Sequence, residues 1–308
     1  MKEYNLTVEE DNENERIDRY VVGVLADLSR SYIQKLIDQQ NITVENKAVK
    51  ASYKVKSGER IQVITEDALI PDITAEDIPL DILYEDEDVL VVNKPKGMVV
   101  HPAPGHYEHT LVNAVMYHCR NNLSGINGVM RPGIVHRIDK DTSGSVIICK
   151  NDSAHLCIAK QLEEHSLKRE YRAIVSGVVK EDTGTIDKNI ARSTSDRKKM
   201  CISPSGRRAV THYEVIQRFK DFTYVKCTLE TGRTHQIRVH MASIGHPVAG
   251  DTVYGKQAKT PVKTDGQALH AYILGFVHPV KNEYIETVAP IPDYFEEFLL
   301  KCQKTVKK

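Results

Sequence analysis

Two carboxylates, a guanidinium and an ammonium crowd into six positions between His136 and Asp141, and the run closes on Thr142-Ser143-Gly144. The apolar stretch Val146-Ile147-Ile148-Cys149 follows at once, so a strand is expected to begin near Ser145, with the Thr-Ser-Gly as the turn into it. Charge held beside a core must be paired or used. Arg137 and Lys140 flank Asp139 and favour its ionised form, and an ionised carboxylate can act as nucleophile or base. An exposed loop carries such charges too; the adjoining core strand is what argues for use.

Two other places carry chemistry. Tyr171, in Lys168-Arg169-Glu170-Tyr171-Arg172-Ala173, offers an aromatic ring and a hydroxyl that transfers a proton. A tyrosine packing at a sheet edge reads the same way. In the block from Gly232 to His240, Arg233 and Arg238 are five apart and cannot share one face of a straight helix. Arg233 is expected at a helix entrance and Arg238 on an inward face. Arg192, Arg197, Lys198, Lys199, Arg207 and Arg208 fall in a Ser/Gly/Pro-containing stretch that suits phosphate contacts or plain solvation. His101, His106 and His109 lack an acidic or thiol partner at ligand spacing, so no metal is expected.

These motifs stand in the order found in the RluA/RluD-type pseudouridine synthases, which the chain resembles over about residues 12–300. The resemblance rests on His-Arg-x-Asp-x-x-Thr-Ser-Gly from 136, Arg-x-Tyr from 169 and Gly-Arg-Thr-His-Gln-Ile-Arg from 232. It extends to Asn93-Lys94-Pro95-Lys96-Gly97 with His101-Pro102, and to Leu269-His270-Ala271 with His278-Pro279, which read as fold markers. It implies an isomerase that breaks the N-glycosidic bond of a uridine in RNA, turns the base and joins C5 to the same sugar carbon. Asp139 falls on the catalytic aspartate, Tyr171 and Arg238 on its catalytic partners, and Arg238 would pair with the aspartate. Asp141 is the competitor for the acid's role. Arg137 would fill the gap left by the flipped base, and Arg233 would contact RNA. His136 would contact the RNA backbone or order the loop. Nothing is oxidised and no leaving group departs, so no cofactor is expected, in keeping with the lack of a P-loop or dinucleotide motif.

The elements that must position these groups are legible in part. A length of 308 residues suggests about two domains, and 41% hydrophobic content suffices for packed cores. The N-terminus lacks the basic-then-apolar order of a signal peptide, no apolar run is long enough for a membrane span, and the six scattered cysteines read as buried apolar residues. A cytoplasmic monomer is expected. The net charge of zero hides an asymmetry: residues 1–130 hold 13 Lys+Arg against 22 Asp+Glu, whereas residues 131–250 hold 21 against 13. The basic part contains the opening motif, and local potential is what phosphates feel.

Residues 12–70 are read as a small module. Ile17, Tyr20, Val21, Val24, Leu25 and Leu28 make one helical face, Ser29 caps a second helix, and strands follow at Ile42–Val44 and near 61–64. The pattern resembles an S4 RNA-binding domain, whose backbone contacts would come from Arg16, Arg30, Lys35, Lys47, Lys50, Lys54 and Lys56. Gln40 and Asn46 stand where that family usually has glycine. Residues 71–85 are read as an acidic linker, and 86–300 as the catalytic domain. There, buried strands from Val89, near 172–178, 210–217 and 223–230, and helices capped by Thr110 and Ser153 and stopped by Gly245, predict an α+β fold with a mixed, mostly antiparallel sheet. The S4-like module and the loop at 101–105 point, through the resemblance, to large-subunit ribosomal RNA and its precursor particle as partner. Transfer RNA is the rival substrate, and a non-catalytic RNA-binding assembly protein the rival class.

Overall fold

The computed structural model describes residues 2–25, 30–65, 73–102, 106–120, 122–126, 131–196, 199–255 and 260–306. The chain splits into two compact units at Pro71. Among the described residues, no helix is long and apolar enough to cross a membrane.

The first unit contains β1 (Lys2–Thr7), α1 (Ile17–Val24), α2 (Arg30–Asp38), β2 (Ile42–Val44), β3 (Lys47–Ala48) and β4 (Arg60–Thr65). Its antiparallel sheet runs β1-β4-β2-β3. Ile17, Tyr20 and Val21 of α1, Ile33, Leu36 and Ile37 of α2, and Ile61 and Val63 of β4 share one core. Two expectations need correction. Val24 is 49% exposed rather than inward, because α1 ends there; Leu28 and Ser29 lie outside the described residues. The unit also starts before residue 12: β1 pairs with β4 along its whole length, and four polar residues in its six hid Tyr4 and Leu6, which pack on the core. Gln40 and Asn46 both take left-handed backbone, at φ 61° and 62°, a conformation costing about 1–2 kcal/mol in a residue with a side chain.

The second unit contains β5 (Ile82–Glu85), β6 (Val89–Lys94), α3 (Leu111–His118), β7 (Ser143–Cys149), α4 (Asp152–Glu163), β8 (Lys168–Ser176), β9 (Thr183–Asp187), β10 (Ile190–Arg192), β11 (Met200–Ile202), β12 (Val210–Arg218), β13 (Phe222–Leu229), α5 (Gln236–Ser243), β14 (Leu269–Val277), β15 (Tyr284–Val288) and α6 (Asp293–Val306). A nine-stranded sheet runs β5-β6-β7-β14-β8-β13-β12-β9, with β15 also on β14; only the β7–β14 pairing is parallel. The continuous apolar run of β6 follows from cover on both faces. Leu90 and Val92 meet Leu111, Val112 and Val115 of α3, while Val89 and Val91 meet Ala154 and Ile158 of α4. On the latter side of the sheet, further along, Phe295 and Phe298 of α6 close a third cluster.

Three details depart from the sequence reading. The acidic stretch is not all linker: Ile82–Glu85 is the edge strand, and Thr74 is tied down by Asn113 Nδ2 at 2.8 Å. Leu83 and Tyr84 pack against the core from this strand, while Glu85 pairs with Lys150 and His118. The cap of α4 is Asn151, whose side chain accepts from Ala154 N at 2.9 Å; Ser153 is inside the first turn. Finally, β7 begins at Ser143, so Gly144 belongs to the strand and not to a turn before it. Its φ is +109°, and a Cβ there would lie 2.2 Å from the Ala271 carbonyl oxygen of β14. Only glycine lets the two strands meet.

Candidate active site

β7 leaves β14 after Gly144, since β15 takes the rest of that edge. The freed edge of β7 is covered by the chain just before the acidic motif. Gly133 O accepts from Cys149 N at 2.9 Å, Ile134 bridges Ile148, and His136 Nε2 accepts from Ile147 N at 3.1 Å. Burial and the charge of Arg169 push the His136 ring down to about 3, so it stays a neutral acceptor. This bond ties the loop to β7.

The next residues are pinned from the other side. Lys94 is fully buried, and its Nζ donates to Pro95 O and Met98 O at 2.8 Å and to Lys140 O at 3.1 Å. Gly97 N also donates to Lys140 O, at 2.9 Å, and Thr142 N to Asp139 O at 3.1 Å. Burial pushes Lys94 down to about 7, against the attraction of Asp141 and Asp139. The segment read as a fold marker thus clamps the peptide next to Asp139.

Asp139 Oδ2 accepts from Arg238 Nη1 at 2.9 Å, as the resemblance implied. The remaining donors of Arg238 go to Asp251, Nε to Oδ2 at 2.7 Å and Nη2 to Oδ1 at 2.9 Å. The Asp251 side chain is fully buried, and its Oδ1 also accepts from Val253 N and Tyr254 N at 2.8 and 3.1 Å. Burial opposes both charges, but their hydrogen bonds prevail: Arg238 rises above its ordinary value and Asp251 falls below the usual carboxylate range. His235, at the head of α5 with φ +57°, holds Nε2 3.8 Å from Asp139 Oδ1 and Nδ1 2.8 Å from the Tyr254 hydroxyl. Burial lowers its pKa, leaving a neutral ring beside the carboxylate.

Asp139 opens on a cleft of about 530 Å³ lined also by His136, Arg137, Arg169, Tyr171 and Arg233. Tyr171 stands on β8, buried, with no hydrogen-bond partner for its hydroxyl among the described residues, and burial pushes its pKa upward, so it is a phenol at neutral pH. Arg137 is exposed and donates to His101 Nε2 at 3.4 Å. Burial and the charges of Arg137 and Arg131 push His101 down to about 4. Arg233 precedes α5, as expected, and its Nε donates to Arg208 O.

Sequence reasoning missed Asp251, His235, Tyr254 and Arg169. Asp251 carried a signal: a lone acid directly after Pro247-Val248-Ala249-Gly250, charge beside apolar chain like Asp139 itself. Each of the other expected contacts lies within its own unit. Lys199 sits in the connection between β10 and β11, and Arg197 and Lys198 lie outside the described residues. In the first unit Lys35 and Lys47 are exposed, while Arg16 and Arg30 are ion-paired with buried Asp18 at 3.0 and 2.7 Å. Asp86, Asp88 and His278 could be taken for a metal site. Yet His278 Nδ1 accepts from Val280 N and Lys281 N, which leaves the proton on Nε2, facing Asp86 at 2.7 Å. Tyr84 and Lys281 donate to the same carboxylate oxygen. This is a hydrogen-bonded knot joining two loops.

The mixed sheet thus sets the Arg238-paired carboxylate of Asp139 on a cleft lined by Arg137, Arg169, Tyr171 and Arg233. Residues 88–243 match the family model for RNA pseudouridylate synthase, and residues 15–61 match that of the S4 domain. The chain is 50% identical to an RNA pseudouridine synthase of Bacillus subtilis over 99% of both chains. It is 45% identical to ribosomal large subunit pseudouridine synthase D of Zymomonas mobilis over 95% of both, and 41% identical to that of Vibrio cholerae over 99% of this chain and 96% of the other. Human RNA pseudouridylate synthase domain containing 1 superposes with a TM-score of 0.58 at 26% identity, covering 70% of this chain and 85% of that one. The chain belongs to the RNA pseudouridylate synthase family. It is an RNA pseudouridine synthase with an S4 domain, acting on RNA.

Proposed function

We propose that the chain converts uridines of large-subunit ribosomal RNA to pseudouridine, with Asp139 as its catalytic carboxylate. The observation that carries the residue assignment is the arginine-held carboxylate at the cleft floor. The substrate follows the relatives named for the large ribosomal subunit. In the reaction the N1–C1′ bond breaks, C5 bonds to C1′, C5 loses its proton and N1 gains one. An ionised carboxylate facing the sugar serves this by adding to C1′ or by taking the 2′-proton; both routes use the same group. Arg238 holds it aimed through the 2.9 Å hydrogen bond. Tyr171 stacks on the everted uracil and relays the C5 proton, while Arg137 takes the place of the base in the stack.

The test is incubation of the purified protein with large-subunit ribosomal RNA and with transfer RNA, followed by mapping of pseudouridine. New sites are expected in the ribosomal RNA. Conversion confined to transfer RNA would overturn the substrate assignment.

A further inference from the structure

Arg169 is a buried cation that the reaction as described does not use. It is 6% exposed, and its Nη2 donates to Glu230 O at 2.8 Å. Its Nε is buried with no hydrogen-bond partner, and no carboxylate pairs with it among the described residues. Glu170 is engaged with Arg172 and the Glu230 carboxylate with His212 and Arg208, while Glu163, also on the cleft lining, makes no ion pair with Arg169. A buried guanidinium without an anion is costly unless an anion arrives. Arg169 and Tyr171 are two apart on β8 and share the face turned to the cleft, whose lining includes both. Burial lowers the Arg169 pKa, Tyr171 opposes this, and the nearby charge of Arg233 lowers it further, so the cleft holds two cations that repel each other.

Gly232 supplies the way in. Its backbone is not left-handed, so glycine is not there for conformation. A Cβ at 232 would lie 2.5 Å from Arg169 Nη1. Glycine at 232, which itself lines the cleft, puts no side chain against that nitrogen.

We infer that Arg169, reached across Gly232 and assisted by Arg233, binds a backbone phosphate of the RNA beside the everted uridine. This rests on the reading of the cleft as the uridine site. The fork of a guanidinium matches two phosphate oxygens, and everting a nucleotide bends the flanking backbone toward the pocket that receives it.

The full chain is compared with Arg169→Gln, Arg169→Lys and Gly232→Ala on a large-subunit ribosomal RNA transcript, reading turnover and filter binding across a salt series. The expected result for Arg169→Gln is a KM about tenfold to a hundredfold higher, the loss of one charge-assisted contact, with kcat nearly unchanged. The slope of log affinity against log salt should fall by about 0.7. Arg169→Lys should keep the slope, and Gly232→Ala, which covers the guanidinium without removing it, should raise KM in the same direction. A fall in kcat with KM and salt slope untouched, together with a shifted alkaline limb of the pH profile, would mean that Arg169 tunes Tyr171, and the phosphate assignment would be wrong. If Arg169→Gln fails to fold, the Gly232→Ala result decides alone. A wild-type protein that binds the transcript without converting it counts against that RNA as substrate, and the change in salt slope still judges Arg169.

Discussion

Asp251 grips Arg238 with both carboxylate oxygens and so leaves a single guanidinium nitrogen, Nη1, to meet Asp139. The Asp139 carboxylate is therefore aimed by a group that never touches it. Replacing Asp251 with Asn removes the charge and one acceptor but keeps the shape. Turnover should fall about a hundredfold, the penalty of small misplacements at a reacting centre. RNA affinity should stay within about threefold. Parallel kcat and Kd measurements check this, and an equal loss in both would place Asp251 in RNA binding.

Asp139→Asn should abolish pseudouridine formation while RNA binding persists, because the carboxylate is one small part of a large footprint. Nucleoside analysis of the treated RNA beside a binding titration reads both. Residual conversion at the wild-type rate would sink the assignment of Asp139.

Arg238→Ala leaves Asp251 buried without its partner. Loss of one member of such a pair costs about 3–5 kcal/mol of stability, measurable by chemical denaturation, in addition to lost turnover. Arg238→Lys should rescue little of either, since an ammonium cannot donate in the planar three-way pattern seen here. A lysine variant with near-normal kcat would show that charge alone suffices.

Acid should loosen the fold through His136. Its ring titrates near 6.5 when unfolded and at about 3 when folded. Between those values the unfolded chain binds a proton that the folded chain refuses, so stability present above pH 6.5 is lost as the pH falls toward 3. Denaturation curves from pH 7 to 4 should show a shallower decline for His136→Asn. Identical slopes would mean that other groups carry the acid sensitivity.

Gly144→Ala forces a Cβ against the Ala271 carbonyl and strains a backbone at φ +109°. We expect a loss of about 2–4 kcal/mol, at the upper end for one substitution. Thermal and chemical unfolding of the variant test it.

The sequence exposed what local pattern controls. The β6 and β7 runs, the Thr110 cap and the helix stopped by Gly245, where φ is +87°, all show in composition and period. It placed Asp139, Tyr171, Arg233 and Arg137 around one cleft because the motifs carry them. It hid what tertiary pairing decides. Asp251 and Arg238 are thirteen apart, and only the fold joins them. Tyr4 and Leu6 show no clean stripe until β4 supplies a partner. Arg169 shows in the sequence only as the first residue of the Arg-x-Tyr motif; its lack of an acid is visible only once its neighbours are seen to be taken.

The loop bearing Asp139 is fastened on both flanks, by Lys94 and Gly97 on Lys140 O and by His136 on the open edge of β7. Such a carboxylate has nowhere to travel. The distortion that brings sugar and acid together must then be borne by the RNA, whose uridine swings out to a fixed anvil. A uridine that unstacks easily, in a loop, a bulge or beside a weak pair, would reach such a carboxylate at the least cost.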